Sequence, residues 1–155
     1  METQANVDVR LAQACDLPGI LALYRELRTY DPPLAPQAAE QGLARILGDS
    51  HLHLIVCEVV SEQGTLAATC MLAINHSLAQ GARPFGIIEN VVTLAAYRGQ
   101  GLGRKVMQFA LKRAWEQGCY KVVLLSGVAL APAHKLYESV GFRGDIERGF
   151  VVKPD

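Results

Sequence analysis

The stretch AAYRGQGLGRKVMQFALKRAWEQG, residues 95–118, constrains this chain more than any other. Gly99, Gly101 and Gly103 alternate in one short turn, flanked by Arg98 and Arg104. The apolar run GIIENVVTL before it reads as a strand. After it, Val106, Phe109, Ala110, Arg113 and Ala114 recur at helical spacing, which predicts a helix over 101–117 closed by Gly118. A strand, a glycine turn and a helix in that order make an anion site. The first helical amides have no internal acceptor, and the helix dipole adds positive potential at the same end. The plainer reading is a tight turn with two solvated arginines. A dinucleotide fingerprint starting at Gly99 fails because Arg104 stands where a small residue is needed, and no P-loop pattern occurs.

The remaining elements follow from periodicity. VDVRLAQ alternates like a half-buried strand, and Ile20, Leu23, Tyr24 and Leu27 form a helical stripe behind Asp16 as N-cap and Pro18 in the first turn. YDPPLAP stops that helix, and a second one carries Leu43, Ile46 and Leu47 on one face. HLHLIVCEVV and TLAATCMLAIN, joined by SEQG, read as a hairpin. CYKVVLLSG reads as a strand, APAHKLYESV as a short helix and GFVV as a terminal strand. The order β-α-α-β-β-β-α-β-α-β predicts an α/β fold, a mixed sheet covered by helices.

With 155 residues, half of them hydrophobic, the expectation is one domain spanning 1–155 with a sizeable core. Fifteen Lys and Arg balance fifteen Asp and Glu, so no global field points to nucleic acid or a membrane surface. Cys15, Cys57, Cys70 and Cys119 form no CxxC pair, and three lie in apolar runs as buried thiols do. His51 and His53 share one strand face without further ligands, so no metal is expected. METQANVDVR lacks the charged-then-apolar plan of a leader, and the expected compartment is the cytoplasm.

Two stretches carry a resemblance. NVVTLAAYRGQGLGRKVMQFAL resembles the acetyl-CoA signature of the GNAT superfamily of N-acetyltransferases, and HKLYESVGF resembles its second signature, with a strand between them. Sharp motifs cover residues 87–142. The resemblance implies a GNAT-type splayed mixed sheet, with acetyl-CoA as co-substrate lying between strands 88–94 and 120–126. It implies pantetheine pairing with the backbone of Val91, Val92 and Thr93. The diphosphate would rest on amides of Gly99, Gln100, Gly101, Leu102, Gly103 and Arg104, beside Arg98. Lys135 is a further candidate for the CoA phosphates, with His134 beside it. Leu130 departs from the family pattern, which often has Asn there. The resemblance also implies a possible homodimer.

Acetyl transfer to an amine poses two proton problems. An alkylammonium, with pKa about 10, holds its proton at neutral pH, and a thiolate leaves better when protonated. The resemblance places Tyr137 beside the thioester sulfur as the acid; the alternative is a core tyrosine with its hydroxyl at the rim. Glu89 lies in an otherwise apolar strand, where a carboxylate must be paired, hydrated or functional, and it is the candidate base. Ordered water alone is the alternative base. Strand alternation points Asn90 away from Glu89 unless a bulge intervenes. A backbone amide near Val91 or Val92 is the expected oxyanion donor.

GIIENVV together with GCYKVVLL resembles glucosamine-phosphate N-acetyltransferases. A phosphorylated acceptor needs cations, and Arg25, Arg28, Arg83 and Lys121 are candidates, with YDPPLAP and SLAQGARP walling the acceptor. The expected activity is N-acetylation of a small-molecule primary amine by direct attack in a ternary complex. A protein or peptide N-acetyltransferase and a non-catalytic acyl-CoA-binding module are the alternatives.

Overall fold

A computed structural model describes residues 5–155. Met1–Gln4, part of the stretch read against a leader, lie outside the described residues. The strands are β1 (Val7–Leu11), β2 (Leu52–Val59), β3 (Leu66–Asn75), β4 (Phe85–Thr93) and β5 (Val122–Leu124). The longer helices are α1 (Leu17–Leu27), α2 (Pro36–Gly48), α3 (Leu102–Glu116) and α4 (Ala131–Ser139), with a four-residue helical turn, Ala79–Ala82, between β3 and β4. The sheet runs in order β1-β2-β3-β4-β5. All neighbours are antiparallel except β4 and β5, which run parallel.

Both faces of the sheet are covered, which is why β2 and β3 read as nearly continuous apolar runs. Ile55, Cys57, Cys70, Leu72 and Ile88 pack against Val106, Met107 and Ala110 of α3. Leu54, Val56, Leu66 and Val92 pack on the other face against Ile20, Leu23 and Leu43 of α1 and α2. Each fully buried aliphatic side chain contributes about 2 kcal/mol of transfer free energy. The expected α3 stripe holds, except that Met107 joins its buried side and Phe109 and Arg113 are half-buried. On α2 the buried residues are Ala39 and Leu43, while Leu47 faces solvent. His53 turns inward toward Arg113, and His51 stays at the surface against His76.

Two expectations are altered for physical reasons. Asp16 stands at the N-cap position of α1 as expected, but its side chain bonds no α1 amide: its carboxylate accepts the Gln13 amide at 2.7 Å and a two-pronged contact from Arg10 at 2.7 and 2.9 Å. The nearby guanidinium outcompetes the helix amides for both oxygens. The terminal GFVV forms no strand, because a strand needs a partner edge and this segment runs beside β5 without pairing to it. Ile146, Phe150, Val151 and Val152 are left exposed.

Asp16 is nearly buried, and the Arg10 guanidinium holds its carboxyl below the usual range, so its pKa rises on unfolding. Its stabilisation is therefore complete above the unfolded value of about 3.9 and is lost as pH falls through the lower folded value. Asp16→Ala should cost about 2 kcal/mol in urea unfolding at pH 7, because it removes a two-pronged charge-assisted contact and leaves Arg10 with Glu58 alone. The wild-type advantage over Asp16→Asn should shrink below pH ~4.

Candidate active site

The glycine turn folds as its spacing demands. β4 makes its last ladder bond where the Leu94 amide donates to the Ala67 carbonyl at 2.9 Å. A 3-10 turn, Ala95–Tyr97, then leads into Gly99 and Gly101, both left-handed at φ 78° and 76°. Only glycine adopts such torsions without strain, and a Cβ at either position would meet open space. Gly103 has a different reason: a Cβ there would lie 3.1 Å from Leu136 and 3.2 Å from the Thr93 hydroxyl. The third glycine therefore lets the start of α3 approach α4 and β4, while the first-turn amides of α3 have no acceptor within the helix.

Arg98, expected beside an anion, is turned back onto the protein. Its Nε donates to the Thr93 carbonyl at 3.1 Å, and its NH2 lies 3.6 Å from Glu26. Arg104 and Lys105 remain as the nearby charges. Gln100 accepts from the Ala5 amide at 3.5 Å. Lys135 is exposed on α4.

β4 carries a bulge. Thr69 pairs with Val92 but Met71 with Glu89, so Cys70 on β3 faces the two residues Asn90 and Val91. Asn90 takes φ 53°, a left-handed torsion tolerated best by Asn among residues with a side chain. The extra residue reverses the alternation, and Val91 packs with the α3 face while Val92 packs with the α1 face. Glu89 and Asn90 consequently come to one side, next to Tyr24 of α1.

The bulge coincides with the end of the β4–β5 ladder. That ladder spans only Gly86–Ile88 against Val122–Leu124, and the strands part beyond it. Because Leu94 bonds toward β3, alternation turns the main-chain groups of Val91 and Thr93 into the opening and those of Val92 toward β3. Thr93 has its carbonyl taken by Arg98, leaving the Val91 amide and carbonyl and the Thr93 amide.

Tyr137 of α4 stands at this opening. Its ring meets Phe142 edge-on at 6.3 Å, and burial pushes its phenol above the ordinary value, with the Cys70 thiol adding to the rise. Ser126 opposes that rise; its Oγ is buried without a well-formed hydrogen bond. Cys70, behind the bulge, is near both Tyr137 and Tyr24. Burial pushes the Cys70 thiol up to about 12, and it points at the Val106 carbonyl, 3.6 Å away. Burial likewise pushes Tyr24 up, opposed by the adjacent Asn90 side chain. Glu89 is exposed and makes no hydrogen bond or ion pair among the described residues, so of the ways a carboxylate can sit in this strand it is the hydrated one.

The acceptor-side cations fare unevenly. Arg83 donates to the Gly118 and Cys119 carbonyls at 3.1 Å each, and so serves the end of α3 rather than a ligand. Arg28 pairs with Asp31 at 2.8 Å and Lys121 with Glu147 at 3.2 Å. Arg25, exposed in the last turn of α1, forms no ion pair among the described residues. Sequence reasoning missed Tyr24 and Glu26 as site neighbours. Tyr24 looked like one more member of the α1 stripe, and Glu26 meets a partner 69 residues away.

A strand–glycine turn–helix unit, a bulge and a parting parallel pair are the layout the two sequence signatures imply, and comparison with known proteins agrees. The profile of the Acetyltransferase (GNAT) family matches residues 20–142. The chain is 33% identical over 140 residues to the glucosamine 6-phosphate N-acetyltransferase of Trypanosoma brucei brucei, covering 89% of this chain and 90% of that protein. A solved "putative acetyltransferase" from Agrobacterium tumefaciens superposes with TM-score 0.88 at 41% identity, covering 95% of this chain and 99% of that one. Glucosamine-6-phosphate N-acetyltransferase from Arabidopsis thaliana shares the fold, with TM-score 0.82 at 24% identity over 95% of this chain and 98% of that one. The chain belongs to the GNAT family of acetyltransferases, enzymes whose acyl donor is acetyl-CoA.

Proposed function

We propose that this chain, acting as a single catalytic domain, acetylates a primary amine of a small molecule by direct attack in a ternary complex. The observation that carries the reading is the bulge at Asn90, where β4 leaves β5 and Glu89 stands exposed one residue before the extra residue. The site suits acetyl-CoA: clear space lies over Gly99 and Gly101, helix amides without an internal acceptor follow, and Val91 and Thr93 lie where β5 has parted. The cofactor supplies an activated acyl group. Glu89, facing solvent, takes the amine proton through water, and the Val91 amide is placed to donate to the acyl oxygen. Tyr137, with its raised phenol, stays protonated through neutral pH and holds the proton for the departing sulfur.

The cysteines support direct attack. A covalent route needs a thiolate, but burial pushes Cys57 up to about 11 and Cys70 to about 12 and raises Cys119 as well. Cys15 is exposed in the 3-10 turn before α1. The curated relatives favour an amino-sugar phosphate as acceptor, and Arg25 is the nearest uncommitted cation on the acceptor-side helix. No helix among the described residues is long and apolar enough to cross a membrane, and a cytoplasmic location belongs to the same reading.

A homodimer completes the proposal. The outer edge of β5 lacks a strand, a groove of about 1320 Å³ runs along it past Trp115 and Tyr137, and the terminal apolar residues lie exposed nearby. An open edge and an unpaired apolar segment are complementary across a two-fold axis.

Three experiments follow. Acetyl-CoA offered with a panel of glucosamine 6-phosphate, thialysine, polyamines, aminoglycosides and N-terminal peptides should release CoA thiol fastest with the amino-sugar phosphate. A preference for peptides would reject the small-molecule reading. Tyr137→Phe should lower kcat about tenfold or more and leave acetyl-CoA affinity within about twofold, the pattern of a group needed only in the transition state. Sedimentation should give twice the 16.8 kDa chain mass, and Phe150→Asp with Val152→Asp should return a monomer.

A further inference from the structure

Glu26 lies on α1, outside both sequence signatures, yet its carboxylate reaches the turn that leads into the glycine loop. Its Oε2 accepts the Ala95 amide at 2.9 Å and lies 3.6 Å from the Arg98 guanidinium. Ala95 is the first residue past the β4 ladder, so no strand carbonyl meets its amide. Arg98 closes the other side of the turn by donating to Thr93 at 3.1 Å. The Tyr97 hydroxyl, between them, donates to Glu62 at 2.8 Å in the β2–β3 connection. Two carboxylates from distant parts of the chain therefore hold a three-residue turn whose end sets where Gly99 begins.

We propose that Glu26 is a positioning residue for the acetyl-CoA diphosphate loop: it fixes the Ala95–Arg98 turn from outside, so that the amides from Gly99 to Arg104 converge on one point. The inference rests on the reading of that loop as the diphosphate site. A negative charge near an anion site ordinarily weakens binding, so its presence calls for a compensating role. The geometry supplies one: Glu26 neutralises Arg98 and holds its fork in the turn, leaving recognition to main-chain dipoles already aimed before the ligand arrives. Preorganised donors bind more tightly than donors that must be ordered on binding. The same helix carries Tyr24 beside Asn90, so one rigid element touches both the bulge and the loop.

The test is calorimetric titration of the intact protein with CoA, alongside steady-state kinetics. Glu26→Ala should raise the CoA Kd and the acetyl-CoA KM about fivefold, a charge-assisted hydrogen bond discounted for exposure. Its kcat at saturating acetyl-CoA should stay within about twofold of wild type. Glu26→Gln should restore most of the affinity, because its amide oxygen still accepts from Ala95. Arg98→Ala should weaken CoA similarly, and combining it with Glu26→Ala should add little, since both act through one turn. A Kd unchanged or tightened in Glu26→Ala would overturn the proposal, as would an equal loss in Glu26→Gln, which would reduce the effect to charge. Gly101→Val separates the two readings: it forces a branched residue to φ 76° and should weaken CoA more than tenfold. If Gly101→Val weakens CoA and Glu26→Ala does not, the loop reading stands and the role of Glu26 falls. If neither changes the Kd, both fall.

Discussion

The bulge where Cys70 faces Asn90 and Val91 organises the rest of the molecule. One extra residue in β4 reverses the facing of everything after it, so Val91 and Val92 enter opposite cores from those simple alternation assigns. A bulge also bends and twists its strand, and β4 leaves β5 within two residues of it. Thr69, fully buried opposite Val92, keeps its hydroxyl satisfied on the Ile55 carbonyl at 2.6 Å, so the irregularity strands no side chain on β3. Opening, the placement of Asn90 and the facing of Val91 and Val92 are thus one distortion seen from three sides.

On the proposed reading, an anion at that opening meets main-chain dipoles rather than the Arg98 side chain. Arg98 is absorbed by Glu26 and Thr93. Dipoles fixed by secondary structure need no reordering when an anion arrives, whereas a long cationic side chain loses rotamer freedom. Their placement depends on glycines that tolerate left-handed torsions at 99 and 101, and on one at 103 that gives two helices room.

Local signals were the legible ones. The α3 stripe, the β2–β3 hairpin and the spacing of Arg98, Gly101 and Gly103 are fixed by neighbours in the chain, and each stands where periodicity put it. Two signatures in order made the family legible too. What escaped depends on distant partners. Asp16 has the pattern of an N-cap, but Arg10 claims its carboxylate. GFVV has strand composition but passes the outer edge of β5 without pairing to it. Glu89 and Asn90 look opposed in a regular strand, and only a register shift set by β3 brings them together. Glu26 offers no signal in sequence, because its value lies in an amide far along the chain.

The short ladder between β4 and β5 has a thermodynamic side. Three residue pairs are few to hold one wing of a sheet, so the region from β5 through α4 sits toward the low end of local unfolding free energies. A ligand seated in the gap supplies the missing strand contacts, and mass action then adds stability to the folded chain: about 2.7 kcal/mol at a free concentration a hundred times its dissociation constant. On the proposed reading that ligand is the acyl donor itself. The wing would then soften as the donor is depleted and firm as it returns, which makes the protein's resistance to proteolysis a readout of acyl-CoA supply.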